Sequence, residues 1–196
     1  MASVVKRIAV LISGRGSNME AILKEAQDGI LMDCCQVVLV VSNRSDALGL
    51  TIAQDMAVKT VCVESKGKDS TTFDRRLLEA LEPYTFDYLV LAGFMKILSP
   101  LVIERYRHRI INIHPADTAL YQGAHGYAWA FETGRSSTTI TVHYVDEGTD
   151  TGPVIAQTDV DLTGAKTLQE VKQRGLAVEH RFYSQVLHQV FTGRQS

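Results

Sequence analysis

Residues 7–18 read RIAVLISGRGSN, and this stretch decides the fold that we expect for the chain. Residues 7–12 are a short, β-branched apolar run, which is typical of a buried strand. Glycine and serine interrupt that run over residues 13–17, and apolar residues then recur at helical spacing over residues 18–27. A strand, a glycine-rich turn and a helix in this order predict the first βα unit of a parallel sheet.

The same alternation continues through the first half of the chain, where the strands are continuous apolar runs. Such strands are buried on both faces, so we predict an α/β fold: a doubly wound, mostly parallel, Rossmann-like sheet with helices on both faces. Ligands are expected beyond the carboxyl ends of its strands. Further strands are predicted over residues 37–41, 60–63, 88–92, 110–113, 138–145 and 154–160, and helices over residues 46–56, 69–81, 127–132 and 167–191, the last with a candidate interruption at Gly175.

Length and composition narrow the class of protein. A chain of 196 residues suits one domain, residues 1–196, whose lobes, about 1–105 and 106–196, would flank a cleft. Twenty basic and 22 acidic residues give a net charge of −2, which argues against binding to nucleic acid or to an anionic membrane. Mean hydropathy is +0.01, and no run approaches the ~18 apolar residues of a membrane span. With no leader pattern visible, we expect a cytoplasmic protein.

Three cysteines give no sign of a metal or disulfide framework. Cys34 and Cys35 are adjacent, Cys62 is alone, and no C-x-x-C spacing occurs. We therefore expect reduced thiols and no metal site.

The first segment that could bind a ligand is the glycine-rich turn. Glycines allow close approach of a ligand, and the start of a helix offers free N–H groups and the positive end of its dipole. Gly16, Ser17 and Asn18 therefore predict a phosphate cradle. A dinucleotide site is the weaker interpretation, because the third glycine is missing and Asn43 replaces the usual acid after the second strand. A βα turn without a ligand is the remaining alternative.

The second and third segments supply side chains for acyl transfer. In INIHP, residues 111–115, strand alternation places Asn112 and His114 on one face. An amide can hydrogen-bond an oxyanion, and an imidazole can move a proton near neutral pH. The acidic turn over residues 146–153 contains Asp150, which matters only if the turn closes over His114. Such turns are usually solvated loops, and this one lacks the spacing of a calcium loop.

Five motifs in this order resemble the phosphoribosylglycinamide formyltransferases (glycinamide ribonucleotide transformylases), a branch of the folate-dependent formyltransferase family. The resemblance covers essentially the whole chain. Its motifs are SGRGSN at 13–18, LAGFMKILSP at 91–100, INIHP at 111–115, GAHG at 123–126 and VHYVDEGTDTGPVIAQ at 142–157.

The resemblance implies roles for individual residues. It makes Asn112, His114 and Asp150 the catalytic trio, places the ribotide phosphate on Gly16, Ser17 and Asn18, and places the ribose on Glu179. It implies a folate site at Met95, Lys96, Ile97, Leu98, Asn112, Asp146, Glu147, Gly148, Thr149 and Asp150.

Other residues near these motifs receive weaker interpretations. His125 and His143 are candidates for supporting contacts, whereas Tyr127 and Trp129 are expected to pack the second lobe.

Three positions depart from the family pattern. Residues 116–119 read Ala-Asp-Thr-Ala where Ser-Leu-Leu-Pro is usual. Leu176 stands where a glutamine is often found, and Ser70 where an arginine commonly helps to hold the folate tail.

The implied activity is transfer of a formyl group from 10-formyltetrahydrofolate, as co-substrate, to the amine of 5-phosphoribosylglycinamide in purine (IMP) biosynthesis. The alternatives are hydrolysis of formyltetrahydrofolate, formylation of another amine such as an amino sugar nucleotide, a nicotinamide-dependent oxidoreductase and a non-catalytic nucleotide binder. The expected partners are small molecules, with neither nucleic acid nor membrane, and a homodimer is allowed.

Overall fold

The computed structural model describes residues 4–193, which contain seven strands and six helices. The strands are β1 (Lys6–Ile12), β2 (Cys35–Ser42), β3 (Thr60–Cys62), β4 (Tyr88–Leu91), β5 (Ile110–His114), β6 (Ser137–Tyr144) and β7 (Val154–Asp161). The helices are α1 (Ser17–Asp28), α2 (Leu48–Asp55), α3 (Ser70–Leu81), α4 (Pro100–Arg105), α5 (Gly126–Glu132) and α6 (Leu168–Thr192).

All seven strands join one sheet in the order β3-β2-β1-β4-β5-β6-β7. Strands β1 to β5 are parallel, whereas β6 and β7 run antiparallel to their neighbours. The predicted doubly wound, mostly parallel α/β sheet is confirmed. Its strand order reverses between β1 and β4, and ligands of such sheets bind in the crevice at this switch point.

Helices cover both faces of the sheet, as the alternation of side chains along β1 illustrates. Ile8, Val10 and Ile12 enter one buried cluster, together with apolar residues of α1, α2, α5 and α6. Ala9 and Leu11 enter a second cluster, on the other face, with residues of α3 and α4. Because neither face of the central strand meets water, its sequence is a continuous apolar run.

The predicted interruption of the last helix at Gly175 is wrong, since α6 is one continuous helix of 25 residues that includes Gly175. A Cβ atom built at Gly175 would lie 2.2 Å from atoms of the Tyr127 ring. The glycine therefore allows α5 to approach α6 closely, and it does not break the helix.

Two further differences have local causes. Helix α4 was not predicted, because its six residues are too few to show a helical period. Helix α2 begins at Leu48, later than residue 46, since the Asp46 carboxylate accepts two hydrogen bonds from the Arg44 guanidinium in the preceding turn. None of the helices in residues 4–193 is long and apolar enough to span a membrane.

Candidate functional site

A cleft of about 1140 Å³ lies at the carboxyl ends of the parallel strands, where the strand order predicts a ligand. Its walls include the loops after β1, β2, β3 and β4 and residues of α5 and α6. Polar and charged groups dominate the loops that follow the first three strands, which are residues 13–18, 43–46 and 64–66.

The glycine-rich loop lines this cleft and leads directly into α1. Gly16 has φ +73°, and a Cβ there would lie 2.9 Å from Met19 Cε and 3.1 Å from Gly49 Cα. Only glycine fits both the left-handed backbone and the close approach of the α2 backbone. Helix α1 begins at Ser17, so its unpaired N–H groups and its positive dipole end lie at the cleft wall.

Glu179 is 5% exposed and joins two elements across the cleft wall. Asn18 Nδ2 donates to Glu179 Oε2 at 2.5 Å, and the Tyr127 hydroxyl donates to Oε1. Burial raises the pKa of Glu179, although both hydrogen bonds oppose that shift. Asn18 Oδ1 is buried without a hydrogen-bond partner among residues 4–193, so an acceptor is left at the cleft. Leu176 lines the same wall.

The trio implied by the resemblance is brought together in space. Ile111 and Ile113 enter the core, which leaves Asn112 and His114 on the other side of β5. The turn after β6 then carries Asp150 to both side chains. His114 Nδ1 lies 3.4 Å from Asp150 Oδ2, and Asn112 Nδ2 donates to Asp150 Oδ1 at 3.3 Å.

Antiparallel pairing of β5 with β6 adds His143 to this cluster, opposite Asn112. His143 Nε2 lies 3.2 Å from Asn112 Nδ2 and 3.4 Å from Asp150 Oδ1. Its Nδ1 faces the Tyr144 carbonyl oxygen at 2.8 Å, and since a carbonyl only accepts, Nδ1 carries a proton. His143 was a candidate for a supporting contact, and it contacts two of the three side chains.

The loop between β5 and α5 contributes two backbone groups that the sequence interpretation missed. The Tyr121 carbonyl lies 3.0 Å from His114 Nε2, which must therefore be the donor. The Gly123 N–H donates to Asp150 Oδ2 at 2.8 Å. Nearly every residue type carries such groups, so these two contacts were not marked by their residue types.

Burial and charge set the protonation of the pair. Burial lowers the pKa of His114 by more than the Asp150 carboxylate raises it. Burial raises the pKa of Asp150. Hydrogen bonds from His143 and Gly123 and the nearby imidazoles lower this pKa by a larger amount, so the net shift is downward. At neutral pH the pair is thus a carboxylate beside a neutral imidazole.

The turn that carries Asp150 is held by its own side chains. The Asp146 carboxylate accepts from Gly148 N at 3.1 Å and from Thr151 Oγ1 at 2.6 Å. Asp150 itself has φ +53°, a left-handed conformation that few non-glycine residues adopt. Strained backbone of this kind persists only where the surrounding structure imposes it, and it is common at functional sites.

The segments predicted to hold folate line different cavities. Met95 lines the large cleft, where its N–H donates to Ser13 Oγ at 2.7 Å. Leu98 is buried in the core. A second cavity, of about 290 Å³, is lined by residues 146–148. Lys96 lies over the Phe73 ring at 5.1 Å, and Ile97 and Thr149 are exposed.

No group of three or more histidine, cysteine, aspartate or glutamate side chains in the described chain could hold a metal ion. Of the departures from the family pattern, Ser70 is the exposed first residue of α3, and residues 116–119 start the loop that follows β5.

The comparison with protein families decides the assignment, because a model described as formyl transferase matches residues 6–187. The chain belongs to the formyl transferase family. This confirms the resemblance drawn from the five motifs.

Known relatives of this formyl transferase carry related names. It is 35% identical over 188 residues to the phosphoribosylglycinamide formyltransferase of Escherichia coli K12, covering 95% of this chain and 88% of that protein. It is also 35% identical over 189 residues to the trifunctional purine biosynthetic protein adenosine-3 of Drosophila pseudoobscura. That match covers 96% of this chain but only 14% of the length of the trifunctional protein.

The solved glycinamide ribonucleotide transformylase 1 from Symbiobacterium toebii has the same fold, with a TM-score of 0.91 and 34% identity. The match covers 97% of this formyl transferase and 89% of that chain. The similarities identify the protein as an enzyme of the transferase class.

Proposed function

We propose that this formyl transferase moves a formyl group from 10-formyltetrahydrofolate to the amine of 5-phosphoribosylglycinamide, a step of purine (IMP) biosynthesis. The observation that carries the proposal is the cluster of Asn112, His114 and Asp150, with 3.3 Å and 3.4 Å between their polar atoms. Ile113 and Pro115, on either side of His114, line the large cleft. The names of the relatives favour the same reaction over the alternatives.

The ribotide is placed in the large cleft. Its phosphate would accept hydrogen bonds from Gly16, Ser17 and Asn18 at the start of α1, where the helix dipole favours an anion. Its ribose hydroxyls would lie at Glu179 and could donate to the unpaired Asn18 Oδ1. Because both oxygens of Glu179 already accept hydrogen bonds, a hydroxyl there shares an occupied acceptor or replaces the Tyr127 hydroxyl.

The formyl folate is placed on the other side of the trio, against residues 95–98 and 146–150. Backbone groups of these segments would bind its ring. We propose that residues 1–196 act as one domain, with ribotide binding mainly in residues 1–105, and folate binding and catalysis in residues 106–196. The homodimer allowed by the sequence stays a prediction.

The chemistry follows from the donors in the cluster. The amine nitrogen attacks the formyl carbon, a C–N bond forms, and the planar carbon becomes a tetrahedral intermediate with a negative oxygen. Asn112 Nδ2 would donate to that oxygen, and one donor of this kind is worth about 10²–10³ in rate. Asp150 Oδ1 accepts from the other hydrogen of the same amide group and holds its orientation.

The proton of the attacking amine goes to the His114–Asp150 pair. Before the reaction the pair is a neutral imidazole and a carboxylate, so it can accept one proton between Nδ1 and Oδ2. The charged imidazole then stabilises the oxyanion, and the same proton passes to the departing folate nitrogen as its C–N bond breaks. A positioned acid–base group contributes roughly 10²–10⁴ in rate.

A coupled assay tests the proposal. Purified enzyme is mixed with 5-phosphoribosylglycinamide and a 10-formyl folate analogue, and the ultraviolet absorbance of the deformylated folate is followed. We expect turnover only when the ribotide is present. Release of formate without ribotide would indicate a hydrolase instead, and turnover with an amino sugar nucleotide but not with the ribotide would change the acceptor.

A further inference from the structure

One loop, residues 115–124, holds both members of the His114–Asp150 pair. Its Tyr121 carbonyl accepts from His114 Nε2 at 3.0 Å, and its Gly123 N–H donates to Asp150 Oδ2 at 2.8 Å. The first contact decides which ring nitrogen carries the proton, and so presents Nδ1 to Asp150. Any movement of this loop therefore changes a hydrogen bond of each member of the pair.

Apart from its contacts with the pair, the loop is anchored at its start, where the Asp117 carbonyl also accepts from the Leu120 and Tyr121 N–H groups. Thr141 Oγ1 donates to the Ala116 carbonyl at 2.8 Å, and the Asp117 carboxylate accepts from Ala119 N at 2.9 Å. By contrast, none of residues 119–125 is buried, and Leu120 is 59% exposed. The part of the loop that contacts the pair is thus not held by insertion into the core.

Aromatic stacking holds that part of the loop. The Tyr121 ring stacks on Trp129 of α5, with centroids 4.8 Å apart and planes 23° apart. The other neighbour of Tyr121 is the His114 ring, at 6.4 Å and nearly parallel. Arg135 covers Trp129, with its guanidinium 4.2 Å from the ring centroid. A column of four groups thus runs from the surface to the pair.

We infer that Trp129 is a positioning residue for formyl transfer: by stacking on Tyr121 it holds the loop whose backbone groups orient His114 and Asp150. The inference rests on the proposed function. Trp129 acts through Tyr121 and has no polar role in the reaction, so an aromatic ring of another kind should replace it.

The experiment compares Trp129→Leu, Trp129→Phe and the control Phe131→Leu, which removes a 37% exposed ring from the same helix. We expect Trp129→Leu to lower kcat about five- to tenfold, the range of one aromatic pair, with KM for the ribotide within twofold of wild type. Trp129→Phe keeps the stack and should recover kcat to within twofold. Phe131→Leu should leave kcat unchanged, and thermal unfolding checks that each variant is folded.

The pH profile separates positioning from mere loss of stability. Burial lowers the pKa of His114, which faces Asp150 and His143 across β5 and β6. A loosened loop exposes the imidazole, so the acid limb of kcat in Trp129→Leu should move to higher pH. Wild-type kcat and an unmoved limb in a folded Trp129→Leu protein would overturn the inference, as would equal losses in Trp129→Phe or in Phe131→Leu.

Two further measurements keep the inference testable without activity. Trp129 is the only tryptophan of the chain, so its fluorescence reports the stack directly. Tyr121→Leu removes the same stack from the loop side, so it should change that emission and lower kcat as Trp129→Leu does, and it substitutes for Trp129→Leu if that protein does not fold. If the wild-type enzyme does not formylate the ribotide, the proposed function fails. The inference is then tested by an NMR titration of His114. The midpoint pH should be higher in Trp129→Leu than in wild type, and an unchanged midpoint would contradict the inference.

Discussion

The glycine-rich loop and the Asn112–His114–Asp150 cluster lie near each other in the fold, but their residues come from different numbers of chain segments. The loop is one contiguous segment, residues 13–18. The end of β1 and the start of α1 fix the position of its backbone N–H groups. The cluster requires β5, its antiparallel pairing with β6 and a strained turn beyond it. The proposed phosphate binding is therefore local in this protein, whereas the chemistry of the reaction depends on tertiary structure.

Breaking the His114–Asp150 pair should give the largest effect. His114→Ala and Asp150→Asn are each expected to lower kcat by about 10²–10⁴, because each removes the acceptor for the amine proton. KM for the ribotide should change little, since neither side chain lines the cleft. Steady-state kinetics on purified protein measure this, with His188→Gln, in α6, as the control. Turnover close to wild type in either variant would remove that residue from the proposed mechanism.

Loss of the amide donor should have the next largest effect. Asn112→Ala removes the group that we place on the oxyanion, so kcat should fall by about 10²–10³. It also removes the donor to Asp150 Oδ1. If kcat were unchanged while KM for the folate rose, Asn112 would be a folate-binding residue only.

The pH dependence tests which form of His114 starts the reaction. Burial lowers the pKa of His114, so its neutral form should persist below the ordinary value of about 6.5. We expect kcat to be level from pH 7 to 8 and to fall at more acid pH, by up to about tenfold per unit for a single proton. In Asp150→Asn the acid limb should move to lower pH, because the carboxylate that raises the pKa of His114 is gone. A kcat that rises toward pH 5.5 would show that the charged imidazole starts the reaction.

Sequence patterns anticipated the parts of the site that depend on local order. The βα alternation predicted the sheet, the spacing in the segment INIHP placed Asn112 and His114 on one face of β5, and the glycines marked the loop at the cleft. Helix α4 was missed because its six residues lack a period.

The missed parts of the site are contacts whose residue type carries no signal. Tyr127 was predicted as a packing residue, and it does lie in the core, but its hydroxyl also donates to Glu179. Those two residues lie far apart in sequence, and only the close packing at Gly175 brings α5 to α6. The Tyr121 carbonyl and the Gly123 N–H are backbone groups, which nearly every residue type supplies.

The smallest effect is expected on the cleft side, and it sharpens the contrast with the trio. Asn18→Ala removes one donor to Glu179 and the unpaired Oδ1 acceptor. A lost buried hydrogen bond costs about 1–3 kcal/mol, so KM for the ribotide should rise roughly tenfold, while kcat and KM for the folate should stay within about threefold. Gln27→Ala removes an exposed carboxamide from the same helix and is the matched control. If KM for the folate rose instead, the folate and not the ribotide would bind at this end of the cleft. A fall in kcat as large as that of His114→Ala would show that substrate binding and the reaction are not divided between the two regions.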